Sequence, residues 1–366
     1  MAYQVPEYSR RQVRLAGEVL RADPVASEDL SRAMPIISNW RSSHAYPLNT
    51  FQATLRKKLN ALDMPHAPVG QRLKRLPSIV GKLNRFQSMS LERMQDIAGL
   101  RAVTPTMNRL NLLLDSYVNG SRFKHELRNV HNYVDTPKAD GYRSIHLIYR
   151  YSNPRAPAYD GLHVELQMRT HVQHAWATAV ETVDAFAKQA IKAGRPDPQW
   201  AEFFRLASAA FAISEKAEVA EEFRGEPVEV IHDRLCEAEE ALNVLVRLRG
   251  FSVAANHIHT RTKSTAAYHL VVLNTEDRVV NIRPYHSDQI DQAAEAYAEA
   301  EQRTVAGEPI DAVLVAGGNV AQLRKTYPNY FLDAGIFLKR LQKICLSRRS
   351  ANAFAPKVGK RSASRR

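Results

Sequence analysis

Cysteine is scarce in this chain: two of 366 residues, Cys236 and Cys345, stand far apart. That excludes a disulfide framework and a cysteine zinc site. No apolar run approaches the ~18 residues of a membrane-spanning helix. The opening residues, MAYQVPEYSRRQVRLAGEVL, have no apolar stretch with a small-residue cleavage pattern, so no signal peptide is expected. The expected location is the cytoplasm. A Walker loop and a GxGxxG turn are both missing, which excludes phosphate binding of the P-loop or dinucleotide kind. Any phosphate must therefore be held by side-chain cations. Negative charge is also in deficit, with 38 acidic against 51 basic residues and a net charge of +13.

The remaining composition, 45% hydrophobic and 24% charged, is that of a globular protein long enough for two or three domains. The positive excess points to a polyanionic partner, and its distribution is uneven. Residues 347–366 carry seven basic side chains, Arg348 and Arg366 among them, and no acidic one, which leaves +6 on the rest. Ser, Ala, Gly and Pro fill much of that tail, so it is expected to be disordered, as a solubilising tail or a nucleic-acid tether.

Periodicity predicts helices over Ser9–Arg21, with Ser9 as cap, and over Leu48–Leu62, which carries Arg56-Lys57-Lys58. Another is entered at Pro77 and runs from Ser78 to about Phe86. Strands are expected at Ile97–Thr104, Leu127–Val134, Ser144–Tyr151 and Leu162–Arg169, with a short helix at Leu110–Tyr117 and a helix at His171–Ala190. This order gives an α+β first domain, residues 1–190, built as a mixed sheet with flanking helices. Gly194-Arg195-Pro196-Asp197-Pro198 marks a break. Helices at Trp200–Glu222 and Val228–Arg249 form a helical linker over 191–250. A second small α/β domain, 251–346, follows: a hairpin of Ala266–Leu273 and Val279–Tyr285, a helix at Ser287–Arg303, a strand at Asp311–Ala316 and a helix at Phe331–Cys345.

The segment from Asn132 to Arg169 carries the chemistry. In Leu162–Arg169 the alternation puts Leu162, Val164, Leu166 and Met168 on one strand face. His163, Glu165, Gln167 and Arg169 share the other. Beside them runs the cationic loop Pro137-Lys138-Ala139-Asp140-Gly141-Tyr142-Arg143. A carboxylate, an amide and a guanidinium on one open face suit a metal–polyphosphate site better than a packing surface. Arg72, Lys74, Arg75, Lys82 and Arg85 offer positive charge for a triphosphate, and arginine's planar fork suits phosphate oxygens; alone, the same run reads as a solvated helix face. Asp96 and Glu165 are candidate Mg²⁺ ligands, which converge if their strands are neighbours. Tyr142 could stack on a base, or cover a sheet edge. His146 shares its strand side with Ser144. His171/His174 and His257/His259 lack the partners of a zinc site, and His232-Asp233 lacks those of a hydrolase.

In order, RLKRLPSIVGKLNR, MQDIAGLRAV, DTPKADGYRSIH, HVELQMRT and HAWA resemble the synthetase domain of the RelA/SpoT alarmone pyrophosphokinases. The resemblance implies a nucleotidyltransferase-like sheet and transfer of the ATP β,γ-pyrophosphate to a ribose 3′-hydroxyl. Arg72, Lys74, Ser78, Lys82, Arg85 and Arg101 would bind ATP. Asp96 and Glu165 would hold Mg²⁺, with Glu165 also taking the hydroxyl proton. Lys138, Tyr142, Arg143, His146, Gln167 and Arg169 would line the acceptor side. Asn132-Tyr133 and Val180-Glu181 depart from the family pattern, and both bear on the acceptor. No counterpart of the N-terminal hydrolase domain or C-terminal regulatory domains of long members is expected here, and hence no alarmone hydrolysis. The C-terminal half, with Tyr327-Pro328-Asn329-Tyr330 and then FLDAGIF, resembles the fused toxin–antitoxin branch called CapRel. That implies repression through Tyr327 and Tyr330, release by a phage protein, and the tRNA 3′ CCA end as favoured acceptor. GTP or GDP, giving (p)ppGpp, is the alternative, and a degenerate sensor or nucleic-acid binder a third.

Overall fold

The computed structural model describes residues 3–21, 27–120, 123–187, 198–260, 267–274, 276–277, 279–305, 308–316 and 330–354. The chain divides into two compact units, residues 1–137 with 143–171, and residues 138–142 with 172–366. The expected domain break near residue 190 and the end of the basic tail lie outside the described residues.

The first unit opens with α1 (Arg10–Val19), α2 (Ser27–Ser43) and α3 (Ala45–Ala61). Ser9 caps α1 as expected: its hydroxyl accepts from the Gln12 amide while the Gln12 side chain reaches back, a capping box. Helix α2 was not foreseen; Pro35 lies inside it, yet Ala33, Ile37 and Trp40 still bury one stripe. Next come β1 (Val69–Leu73), α4 (Leu76–Arg85), β2 (Ala98–Thr104), α5 (Met107–Val118), β3 (Glu126–Asn132), β4 (Ile145–Arg150) and β5 (His163–Thr170).

The strands form one mixed sheet in the order β1-β2-β5-β4-β3. Only β2 and β5 pair in parallel; β1–β2, β5–β4 and β4–β3 are antiparallel. Register sorts the side chains by face. One face carries Leu100, Leu166 and Leu147 in a lateral row, all essentially excluded from solvent. Helices α3 and α5 pack on this sheet, adding Phe51, Leu55 and Leu110 to the core. The other face carries two polar rows. Arg72, Gly99 and Glu165 lie side by side, and so do Arg101, Gln167, His146 and His131.

The second unit contains α6 (His171–Ala187) from Val172 onward, α7 (Pro198–Ser214), α8 (Val228–Leu242) and α9 (Val244–Thr260). After them come β6 (Tyr268–Asn274), β7 (Val279–Tyr285), α10 (Ile290–Val305), β8 (Ile310–Ala316) and α11 (Tyr330–Phe354). The three strands form an antiparallel sheet, β7-β6-β8. Leu270, on one face of β6, packs with Tyr285 and Ala293 of α10. Val271, on the other, joins a larger core with Phe203, Phe211, Leu235 and Phe337. Helices α7 to α9, expected as a linker, thus supply much of this unit's core. The single helix expected over 228–249 is two, because Asn243 adopts the left-handed conformation at φ 50° and ends α8. Gly250 does not end α9. It lets the helix approach β6, where an added Cβ would meet Leu273 at 3.1 Å.

Candidate functional site

Asp96 lies just before β2, where the chain enters the sheet, and two lysines converge on it. Lys74 Nζ donates to Oδ2 at 2.8 Å and Lys82 Nζ to Oδ1 at 2.9 Å. Lys74 follows β1; Lys82 sits on α4, whose first turn contains Pro77, a residue suited to that position because its missing N–H has no partner there anyway. Burial would push Asp96 up, but the charges and hydrogen bonds of Lys74 and Lys82 hold its carboxyl below the usual carboxylate range.

Glu165 sits on the polar face of β5, opposite Gly99 of β2. His146 Nδ1 is 2.9 Å from its Oε1, and Gln167 Nε2 donates to Oε2 at 2.8 Å. Arg169 in turn donates to Gln167 Oε1 at 3.0 Å, so the three long polar residues of β5 form a chain. Tyr133 meets the His146 ring edge-on at 5.3 Å between centroids. Burial would push Glu165 up, as would the negative charge of Asp96. The hydrogen bond and charge of His146, with help from Gln167, overcome both and hold the carboxyl low. Two carboxylates that feel one another's charge are thus both kept ionised by dedicated partners.

The structure brings together Lys74, Lys82 and Asp96, and separately Glu165, His146, Gln167 and Arg169. Register places Arg101 beside Gln167 and Arg72 beside Gly99, on that same polar face. Ser78 and Arg85 are exposed on α4. Arg143 is buried in the first unit. Lys138 and Tyr142 belong to the second unit, where Lys138 Nζ lies 5.0 Å over the Tyr142 ring. Their loop is locked there: Gly141, at φ +86°, accepts a 2.6 Å hydrogen bond from Ser208 of α7. Tyr327 lies outside the described residues, and Tyr330 opens α11.

Sequence reasoning missed the gap at Gly99, which leaves no side chain between Arg72 and Glu165 in their row. A glycine inside an apolar strand was the available signal. Magnesium fits the donor set. The ion prefers oxygen and takes one or two carboxylates, phosphate and water completing its shell. Each Asp96 oxygen, though gripped by a lysine, retains acceptor capacity. Among the described residues no group of three or more acidic, histidine or cysteine side chains forms a fuller protein cage.

Residues 71–187 match the profile described as "Region found in RelA / SpoT proteins". The curated protein GTP pyrophosphokinase YjbM of Bacillus subtilis (strain 168) is 30% identical over 118 residues, which cover 31% of this chain and 55% of that protein. GTP pyrophosphokinase YwaC of the same organism is 33% identical over 116 residues, covering 29% and 52%. The chain thus spans about half the length of the curated relatives it matches. Among solved structures, small alarmone synthetase 1 from Bacillus subtilis bound to its product pppGpp aligns over 47% of this chain and 89% of that one, with 23% identity and a TM-score of 0.41. Lys74, Lys82, Asp96, His146 and Glu165 all fall inside the matched segment, 71–187.

Proposed function

We propose that this protein is a Mg²⁺-dependent pyrophosphokinase that moves the β,γ-pyrophosphate of ATP to a ribose 3′-hydroxyl: the hydroxyl oxygen bonds to the β-phosphorus, the bond to the α,β-bridging oxygen breaks, and AMP leaves. The observation that carries this reading is the pair of ionised carboxylates, Asp96 gripped by two lysines and Glu165 by a histidine and an amide. Asp96 and Glu165 would hold the ion, which when bound would offset charge on the phosphates. Lys74 and Lys82 supply positive charge at the same carboxylate, and Arg72, Arg101, Ser78 and Arg85 extend the donor side. Glu165, kept deprotonated, accepts the proton of the attacking hydroxyl. His146 and Gln167 hold it in orientation. In such transfers positioning and electrostatics carry most of the acceleration.

Both curated relatives are GTP pyrophosphokinases, which supports a guanine nucleotide as acceptor, GTP or by extension GDP, with (p)ppGpp as product. A second reading has the tRNA 3′ CCA end as acceptor and the enzyme as a translation-blocking toxin. In it, the C-terminal half represses through Tyr327 and Tyr330 until a phage protein relieves the block. The net charge of +13 supports this reading, as does a second unit reaching far beyond the matched segment. Incubation with γ-³²P-ATP and either GDP, GTP or deacylated tRNA separates the two by which acceptor gains label. Label on none of them would favour a degenerate sensor.

A further inference from the structure

Two arginines upstream of the matched segment, Arg41 in α2 and Arg21 just after α1, bond to the backbone at Lys74 and at the end of the helix that bears Lys82. Arg41, in the last turn of α2, donates from Nε to the Lys74 carbonyl at 2.8 Å. On the other side of that residue, the Lys74 amide donates to the Ile97 carbonyl at 2.7 Å, next to Asp96. Lys74 is therefore fixed from both directions.

Arg21, just after α1, does the same for α4. A helix leaves its last carbonyls without intrahelical partners, and they form the negative end of its dipole. Arg21 meets this need: Nε donates to the Leu83 carbonyl at 3.1 Å, and one terminal nitrogen reaches the Phe86 carbonyl at 3.3 Å and the Met89 carbonyl. Leu83 adjoins Lys82. The approach of α1 is set by Gly17, where an added Cβ would lie 2.6 Å from Leu91 Cβ.

We infer that Arg21 and Arg41 are positioning residues, which fix the Lys74 backbone and the end of α4 that bears Lys82, so that both ammonium groups stay on Asp96. On this basis the N-terminal helices are part of the donor-phosphate machinery, although neither arginine lies inside the matched region. Hydrogen bonds from a charged donor are stronger than neutral ones, and guanidinium presents several donors in a fixed fork, which suits a grip on several carbonyls. The inference rests on the pyrophosphokinase reading for its consequence, not for its geometry.

The test uses the full chain with Arg21→Gln, Arg41→Gln and the milder Arg21→Lys, which keeps charge but loses the fork. Two quantities are read at a temperature well below unfolding. The first is amide hydrogen exchange at Lys74 and Phe86, whose N–H groups bond the Ile97 and Lys82 carbonyls. The second is the affinity for the α,β-methylene analogue of ATP with Mg²⁺. Arg41→Gln is expected to speed exchange at Lys74 and Arg21→Gln at Phe86, each weakening the analogue at least about tenfold, with Arg21→Lys in between. Variants that melt earlier but keep wild-type exchange at these amides and wild-type affinity would overturn the inference, leaving the arginines a structural role alone. If wild type binds no analogue, the enzymatic reading fails and the local exchange still decides the positioning claim.

Discussion

His146 Nδ1 lies 2.9 Å from Glu165 Oε1 across the β4–β5 pair, and it is the main counterweight to the burial of that carboxyl. With His146→Ala, burial and the Asp96 charge are opposed mainly by Gln167, so the Glu165 carboxyl rises. A base that must be deprotonated then loses activity at higher pH. The acidic limb of the pH–rate profile is expected to move upward, measured as kcat/KM with saturating Mg²⁺. An unmoved limb in a folded variant would separate His146 from the ionisation of Glu165.

Lys82→Met leaves Asp96 with one cation in place of two. The Asp96 carboxyl should titrate higher and the KM for ATP should rise about 10- to 100-fold, because a charge-assisted partner of a largely buried carboxylate is removed. Initial rates against ATP concentration check this. Lys74→Met should act in the same direction.

Acid should unfold the first unit early. His44 is buried beside the Trp40 carbonyl, and burial lowers its pKa to about 4 from 6.5. A histidine depressed in the folded state gives stability that is complete above the unfolded value and lost as pH falls through the folded one. The window is therefore pH 6.5 down to 4, and the loss for this group is about 3 kcal/mol. His163 and His125, both also lowered by burial, add to it in the same direction. Chemical denaturation at pH 7 and pH 4.5 measures the difference, and His44→Gln should flatten it.

Gly141→Ala should loosen the loop that bears Lys138 and Tyr142. At φ +86° a side chain is strained, and its Cβ would sit 3.0 Å from Ser208 and 3.2 Å from Trp176. A cost of about 1–3 kcal/mol is expected, seen as a lower melting temperature and faster amide exchange over 138–142.

Much of this was legible in the residues. The alternation of β5 placed His163, Glu165, Gln167 and Arg169 on one face because strand side chains have a strict period of two, and the parallel β2–β5 pairing set Gly99 opposite Glu165. Strand β1 escaped notice because VGQRL shows no alternation and sits at a sheet edge. Helix α2 was hidden by Pro35, and the α8–α9 break by an asparagine inside an unbroken leucine pattern. The roles of Arg21 and Arg41 leave no trace in spacing, since an arginine that grips a distant carbonyl looks like any other surface cation until the chain is folded.

The most direct measurement is transfer of radiolabel from γ-³²P-ATP, with Mg²⁺ and an acceptor, by wild type, Asp96→Asn and Glu165→Gln in parallel. Wild type should give a labelled 3′ product. Each variant, with an unchanged circular dichroism spectrum, should fall by at least about 10²-fold. Undiminished product from either folded variant would contradict the assignment of the two carboxylates.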